Sequence, residues 1–160
     1  MYKHARIGLV FRMGRKCTKR WNFNHKHCST QTHTLRVSVE QAMRFAMTEL
    51  KVETLKDKQK EAICGFVNGR DCFVILPTGY GKTLCYVLLP YVYDHLRGKT
   101  RSSIVICVSL LISLMMDQVK KYSVLGLATQ FVGQAQEDPS VTRGVLEGGY
   151  QLVFMSPEAL

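Results

Sequence analysis

Long apolar runs are missing from this 160-residue chain. No stretch of about 18 consecutive apolar residues occurs, which argues against a membrane-spanning helix. Acid is missing from one end. Residues 1–39 carry nine Lys/Arg and no Asp or Glu, whereas residues 40–160 carry thirteen Lys/Arg against twelve Asp/Glu. The net charge of +10 therefore belongs to the N-terminal arm, and the body is close to neutral. Disulfide-type cysteine spacing is absent too. Cys64, Cys72, Cys85 and Cys107 sit inside apolar patterned segments, which reads as reduced core thiols of an intracellular protein. Cys17, Cys28, His25 and His27 do not form a zinc-binding spacing. No internal repeat is visible.

An apolar content of 46 % is enough for one globular domain with a modest core. Residues 1–37 have no useful helical or strand period. Their composition leaves three readings open: a disordered basic arm touching nucleic-acid phosphates, a mitochondrial presequence with a poor apolar face, or an extension foreign to the domain. The domain proper is expected over 38–160.

The chemistry concentrates in Leu76-Pro-Thr-Gly-Tyr-Gly-Lys-Thr83, between the apolar runs Cys72-Phe-Val-Ile-Leu76 and Leu84-Cys-Tyr-Val-Leu-Leu89. Strand, glycine loop and helix start follow in the order a phosphate cradle needs. Gly79 and Gly81 let backbone N–H groups approach phosphate oxygens without a Cβ in the way. Lys82 can reach the β- and γ-phosphates, and the Thr83 hydroxyl can ligate Mg²⁺. Leu76 stands where the general pattern has its first glycine.

The periodicity predicts a helix from Ser38, as N-cap, through Val39, Ala42, Met43, Phe45, Ala46 and Leu50, and a second over 56–67. It predicts buried strands at 72–76, 103–108, 127–132 and 151–155. Helices are predicted from Thr83 to about Leu96 with a break at Pro90, over 111–122, and briefly over 141–146. Leu111, Leu114, Met115 and Val119 read as the core face of the 111–122 helix. The alternation implies an α/β fold, a parallel sheet with helices on both faces.

Gln59 lies on the helix ahead of the loop, where a carboxamide can both donate to and accept from an adenine edge. Lys56 can place its stem or charge near the same base. Ser109 and Ser156 follow strands, where open parallel sheets bind ligands.

Taken with Leu55-Lys-Asp-Lys-Gln59, Ser109-Leu-Leu-Ile-Ser-Leu-Met-Met-Asp-Gln-Val119 and Ser156-Pro-Glu158, the loop resembles the RecQ family of DNA helicases over about residues 38–160. The resemblance implies the first RecA-like lobe of a P-loop NTPase, C-terminally incomplete. It implies ATP and Mg²⁺ as cofactors, and movement 3′ to 5′ along single-stranded DNA to part a duplex junction, in the nucleus (alternatively the cytoplasm or mitochondrion). Lys82 and Thr83 would be catalytic, with Thr83 on the metal. Lys56, Gln59, Pro77, Thr78, Gly79, Tyr80, Gly81 and Leu84 would complete the nucleotide site. Ser109, Leu110, Ser156 and Pro157 would lie along the DNA. No membrane partner is implied, and no protein partner is named.

Two departures stand out: Leu110 replaces a proline of the family, and Leu55 and Lys56 replace an aromatic residue and an arginine. No Asp-Glu-x-His string follows Lys82. Without that acidic pair and an arginine finger, the γ-phosphate lacks its charge clamp, and the finger alone is worth about 10³–10⁵ in turnover. The chain is therefore expected to be an N-terminal fragment, inactive alone, with an unpaired sheet edge and marginal stability. A non-catalytic nucleotide- or nucleic-acid-binding fragment, and an RNA helicase of the same superfamily, are the alternatives.

Overall fold

The computed structural model describes residues 31–134, 136 and 138–159, with side chains from Val39 onward. The readings of residues 1–30, and Cys17, His25, His27 and Cys28 with them, lie outside the described residues.

The elements in chain order are α1 (Gln31–Glu49), α2 (Asp57–Val67), α3 (Leu84–Val87), α4 (Leu89–Arg97), β1 (Val105–Val108), α5 (Ile112–Val124), β2 (Thr129–Val132), α6 (Pro139–Leu146) and β3 (Leu152–Met155). A 3₁₀ turn, Pro157–Ala159, follows β3. No helix among the described residues is long and apolar enough to cross a membrane.

α1 begins seven residues before Ser38, which therefore lies inside the helix and does not cap it. Residues 31–37 contain neither Gly nor Pro, so nothing in that stretch stops the helix. Val39, Ala42, Met43, Ala46 and Leu50 are buried and α1 packs on α4. Phe45 instead lies partly exposed, stacked on His95 with ring centroids 4.8 Å apart.

The break expected at Pro90 falls at Leu88, between α3 and α4. Pro90 has no N–H to give to the carbonyl four residues earlier, and its ring crowds that carbonyl. Tyr93 of α4 donates its hydroxyl hydrogen to the Phe66 carbonyl at 3.0 Å, tying α4 to α2. α4 ends on Gly98 in the left-handed region (φ 59°), where Lys99 N–H reaches back to Asp94 O at 2.9 Å. The buried Asp94 carboxylate accepts from Ser102 N–H and, at 3.0 Å, from Ser102 Oγ. That pins the loop leading into β1.

The sheet has three parallel strands in the order β1-β3-β2. Val105, Leu152 and Thr129 share one register position, and Val108, Met155 and Val132 another. β3 is central, and Leu152, Val153 and Phe154 are buried in succession, as a strand covered on both faces requires. β1 differs from the continuous burial expected of it: Val105 and Cys107 are buried, but Ile104 and Ile106 are each 39 % exposed. Its outer side has no strand partner among the described residues. An edge strand covers only part of its surface.

The expected first strand, residues 72–76, is the main correction. The segment has no regular secondary structure and joins no ladder, so among the described residues there are three strands and not four. Phe73 is 69 % and Ile75 55 % exposed, alternating with half-buried Cys72, Val74 and Leu76. Apolar, β-branched sequence favours an extended backbone, but a strand also needs a hydrogen-bonded neighbour. The segment leans on α2 at Gly65, where an added Cβ would overlap the Cys72 sulfur. A trough of about 430 Å³ runs alongside, lined by Ala62, Gly65, Phe73 and Ile75 among others.

α5 turns Met115, Val119 and Tyr122 inward at helical spacing, with Met115 and Tyr122 fully buried. Leu111 and Leu114 are exposed, contrary to expectation. Leu111 is the extended residue before the helix, and Leu114 sits one position off the inward stripe.

Burial pushes the Cys85 thiol up to about 11 and the Cys107 thiol up to about 12 from an ordinary 9.0. Cys64 and Cys72 are half-buried. A raised folded-state pKa leaves stability intact below the unfolded value, 9.0, and erodes it as pH climbs through about 11 and 12. The unfolded thiols lose their protons first. Urea midpoints should therefore hold to about pH 9 and fall above it. A midpoint constant to about pH 11 would contradict the burial of both thiols.

Candidate nucleotide and nucleic-acid sites

The loop after the 72–76 segment folds on local bonds. Tyr80 N–H closes a turn on Pro77 O at 3.2 Å. Gly79 (φ 81°) and Gly81 (φ 88°) occupy the left-handed region that other residues enter at a cost. Leu84 N–H to Gly81 O and Cys85 N–H to Lys82 O, both 3.0 Å, begin the helical turn in which Thr83 is the residue before α3. α3 has only four residues before the break at Leu88. The loop therefore relies more on its own N–H groups and on Lys82 than on a long helix dipole.

The Lys82 ammonium donates to Leu76 O at 2.8 Å and to Pro77 O at 2.9 Å. It thus bonds the carbonyls of its own loop. Gln59, only 2 % exposed, holds the other side. Its Nε2 donates to Tyr80 O at 3.0 Å and Gly81 O at 2.9 Å, and its Oε1 accepts from Lys56 N–H at 2.8 Å. The last bond is half of a capping box and fixes the start of α2. A Cβ at Gly81 would come within 2.7 Å of Gln59 Nε2, so this approach requires glycine. The Lys56 ammonium sits 4.2 Å from the centroid of the Tyr80 ring. Pro77, Thr78 and Gly79 are exposed at the loop's tip, and Thr83 and Leu84 are half-buried at its base. Lys56, Gln59, Tyr80, Gly81 and Lys82 thus form one connected cluster.

The second group lies at the carboxyl end of the sheet. The shared register puts Ser109, Gly133 and Ser156 side by side, each directly after its strand. Ser109 N–H donates to Met155 O at 2.9 Å, and Ser156 N–H to Val132 O at 3.1 Å. Ser109 Oγ accepts from Leu111 N–H at 3.3 Å. Leu110 is 84 % exposed, and Pro157 opens the 3₁₀ turn at the surface. Ser156 Oγ is buried without a hydrogen-bond partner, and a Cβ at Gly133 would lie 3.2 Å from it. Gly133 was missed from sequence, although a glycine directly after a strand was the available signal.

A parallel α/β sheet with this loop ahead of it defines a RecA-like lobe of a P-loop protein. The model of the DEAD/DEAH box helicase family matches residues 56–160. The chain is 34 % identical over 109 residues to the ATP-dependent DNA helicase Q-like SIM of Arabidopsis thaliana, covering 68 % of this chain and 12 % of that one. It is 31 % identical over 109 residues to the ATP-dependent DNA helicase RecQ of Haemophilus influenzae, covering 66 % and 16 %. It is 34 % identical over 109 residues to the probable ATP-dependent DNA helicase RecS of Bacillus subtilis, covering 67 % and 20 %. The chain belongs to the DEAD/DEAH box helicase family and is similar to the N-terminal region of its RecQ-type members. It spans a fifth or less of the length of these relatives.

Proposed function

We propose that this chain is the ATP- and DNA-binding part of a RecQ-type helicase that moves 3′ to 5′ on single-stranded DNA and opens duplex junctions. The observation that carries the reading is the cluster around Lys82. One cation lies inside a glycine loop whose far side is held by a buried carboxamide. The β- and γ-phosphates of ATP would take the place of the Leu76 and Pro77 carbonyls on Lys82. Backbone N–H groups from Gly79 to Thr83 would hold the remaining phosphate oxygens. Mg²⁺, arriving with the phosphates, would gain the Thr83 hydroxyl and offset their charge. Gln59 would face the adenine edge once its carboxamide exchanges one of its loop bonds, and Lys56 would lie beside the base. Ser109, Leu110, Ser156 and Pro157 would border the DNA strand.

The compartment this implies in a eukaryotic cell is the nucleus, and the relatives come from bacteria as well as a plant. A basic arm over 1–37 ahead of a domain over 38–160 fits a chain that touches nucleic-acid phosphates.

The test is equilibrium binding of the purified chain to Mg·ATP, to single-stranded and forked DNA, and to RNA of the same sequence. Retention of Mg·ATP that EDTA weakens, with DNA preferred over RNA, is the expected result. Failure to retain Mg·ATP would refute the assignment of the loop, and a preference for RNA would refute the DNA substrate.

A further inference from the structure

Tyr80 stands between two left-handed glycines, with its N–H closing the turn on Pro77 O at 3.2 Å. It is held from outside at two points. Its carbonyl accepts from Gln59 Nε2 at 3.0 Å, and its ring carries the Lys56 ammonium at 4.2 Å from the centroid. The salt bridges among the described residues do not include Lys56, and its ammonium lies over the Tyr80 ring. Lys56 is also the N-cap of α2, so the contact ties the start of that helix to the tip of the phosphate loop.

We propose that Lys56 and Tyr80 form a clasp that holds the loop with Lys82 and Gln59 on the loop's own carbonyls, which makes Tyr80 a positioning residue for nucleotide entry. The inference rests on the nucleotide reading given above. In that arrangement Lys82 is bonded to Leu76 O and Pro77 O, and Gln59 to Tyr80 O and Gly81 O. A loop displaced toward a triphosphate must carry the Tyr80 and Gly81 carbonyls with it. Because Gly81 approaches Gln59 Nε2 so closely, that displacement is felt at α2. A purine near Lys56 offers its own π-face to the ammonium, in competition with the phenol ring. Base and phosphates therefore release the two ends of one latch, and nucleotide binding is an exchange of partners.

Amide hydrogen exchange on the nucleotide-free chain reads the clasp directly. Tyr80→Leu and Lys56→Met should each speed exchange of the Gly79 to Lys82 amides, and the double variant should go no further than either alone. Tyr80→Phe keeps the aromatic face and should show wild-type exchange, while Lys56→Met, which leaves the ring and its packing in place, should match Tyr80→Leu, as loss of loop packing alone would not. Tyr80→Leu, which leaves Lys56 to the base, should also tighten Mg·ATP binding by roughly two- to five-fold, the worth of an exposed cation–π contact, whereas Lys56→Met loses the base contact together with the clasp and should not tighten it. Unchanged exchange in both single variants, or additive effects in the double variant, would overturn the proposal. Faster exchange in a chain that retains no Mg·ATP would support the clasp and refute the nucleotide reading on which its purpose rests.

Discussion

Lys82→Ala is expected to lower affinity for Mg·ATP by about 10²-fold or more. Two charge-assisted hydrogen bonds to phosphate are worth about 1.5–3 kcal/mol each, and about 1.4 kcal/mol corresponds to tenfold in affinity. The wild-type lysine must first leave Leu76 O and Pro77 O, which offsets part of that gain and sets the expectation at the lower end. The fold should barely notice the change, because Pro77 is exposed and Leu76 half-buried, so water can reach the released carbonyls. Calorimetric titration of both proteins, with a urea melt of each, separates the two effects. Affinity within about twofold of wild type would remove Lys82 from the phosphate site.

The largest loss of stability is expected from Phe154→Ala. Phe154 is 2 % exposed in the middle strand, paired in register with Cys107 and Phe131. Its ring meets Tyr86 edge to face at 6.2 Å, linking the sheet to α3. Truncating a buried Phe to Ala costs about 3–5 kcal/mol, against a total of about 5–15 kcal/mol for an ordinary domain. With a three-stranded sheet, the variant should unfold at a markedly lower urea concentration, or fail to fold at all. Phe73→Ala, at a side chain mostly in solvent, should change the midpoint little. A Phe154→Ala midpoint as high as that of Phe73→Ala would mean that β3 is not the centre of the core.

What could be read from sequence was what depends on neighbours along the chain. Helical periodicity over 56–67 located α2, and apolar runs located β2 and β3 within two residues. Pro90 forced a break because its missing N–H is a local fact. Pairing is not local. The 72–76 segment has the composition of a strand, yet being one depends on partners that its own residues cannot supply. Ile106 looked buried because β-branched runs usually are, but its exposure follows from β1 lying at the end of the sheet order. The burial of Gln59 could not be seen either, since one glutamine on a helix is ordinarily solvated. Only the approach of Tyr80 and Gly81 from 21 and 22 residues away satisfies its amide. The alignment of Ser109, Gly133 and Ser156 depends on the register of parallel strands, which no single segment encodes.

The outer rim of β1 carries a practical consequence. Val105 and Ser109 direct their N–H groups at β3, so Ile106 and Val108 present theirs on the opposite side. Such a rim is an adhesive strip for any extended backbone, including that of another molecule of the same kind. Among the described residues no strand covers that strip, so self-association that grows with protein concentration is the consequence to expect.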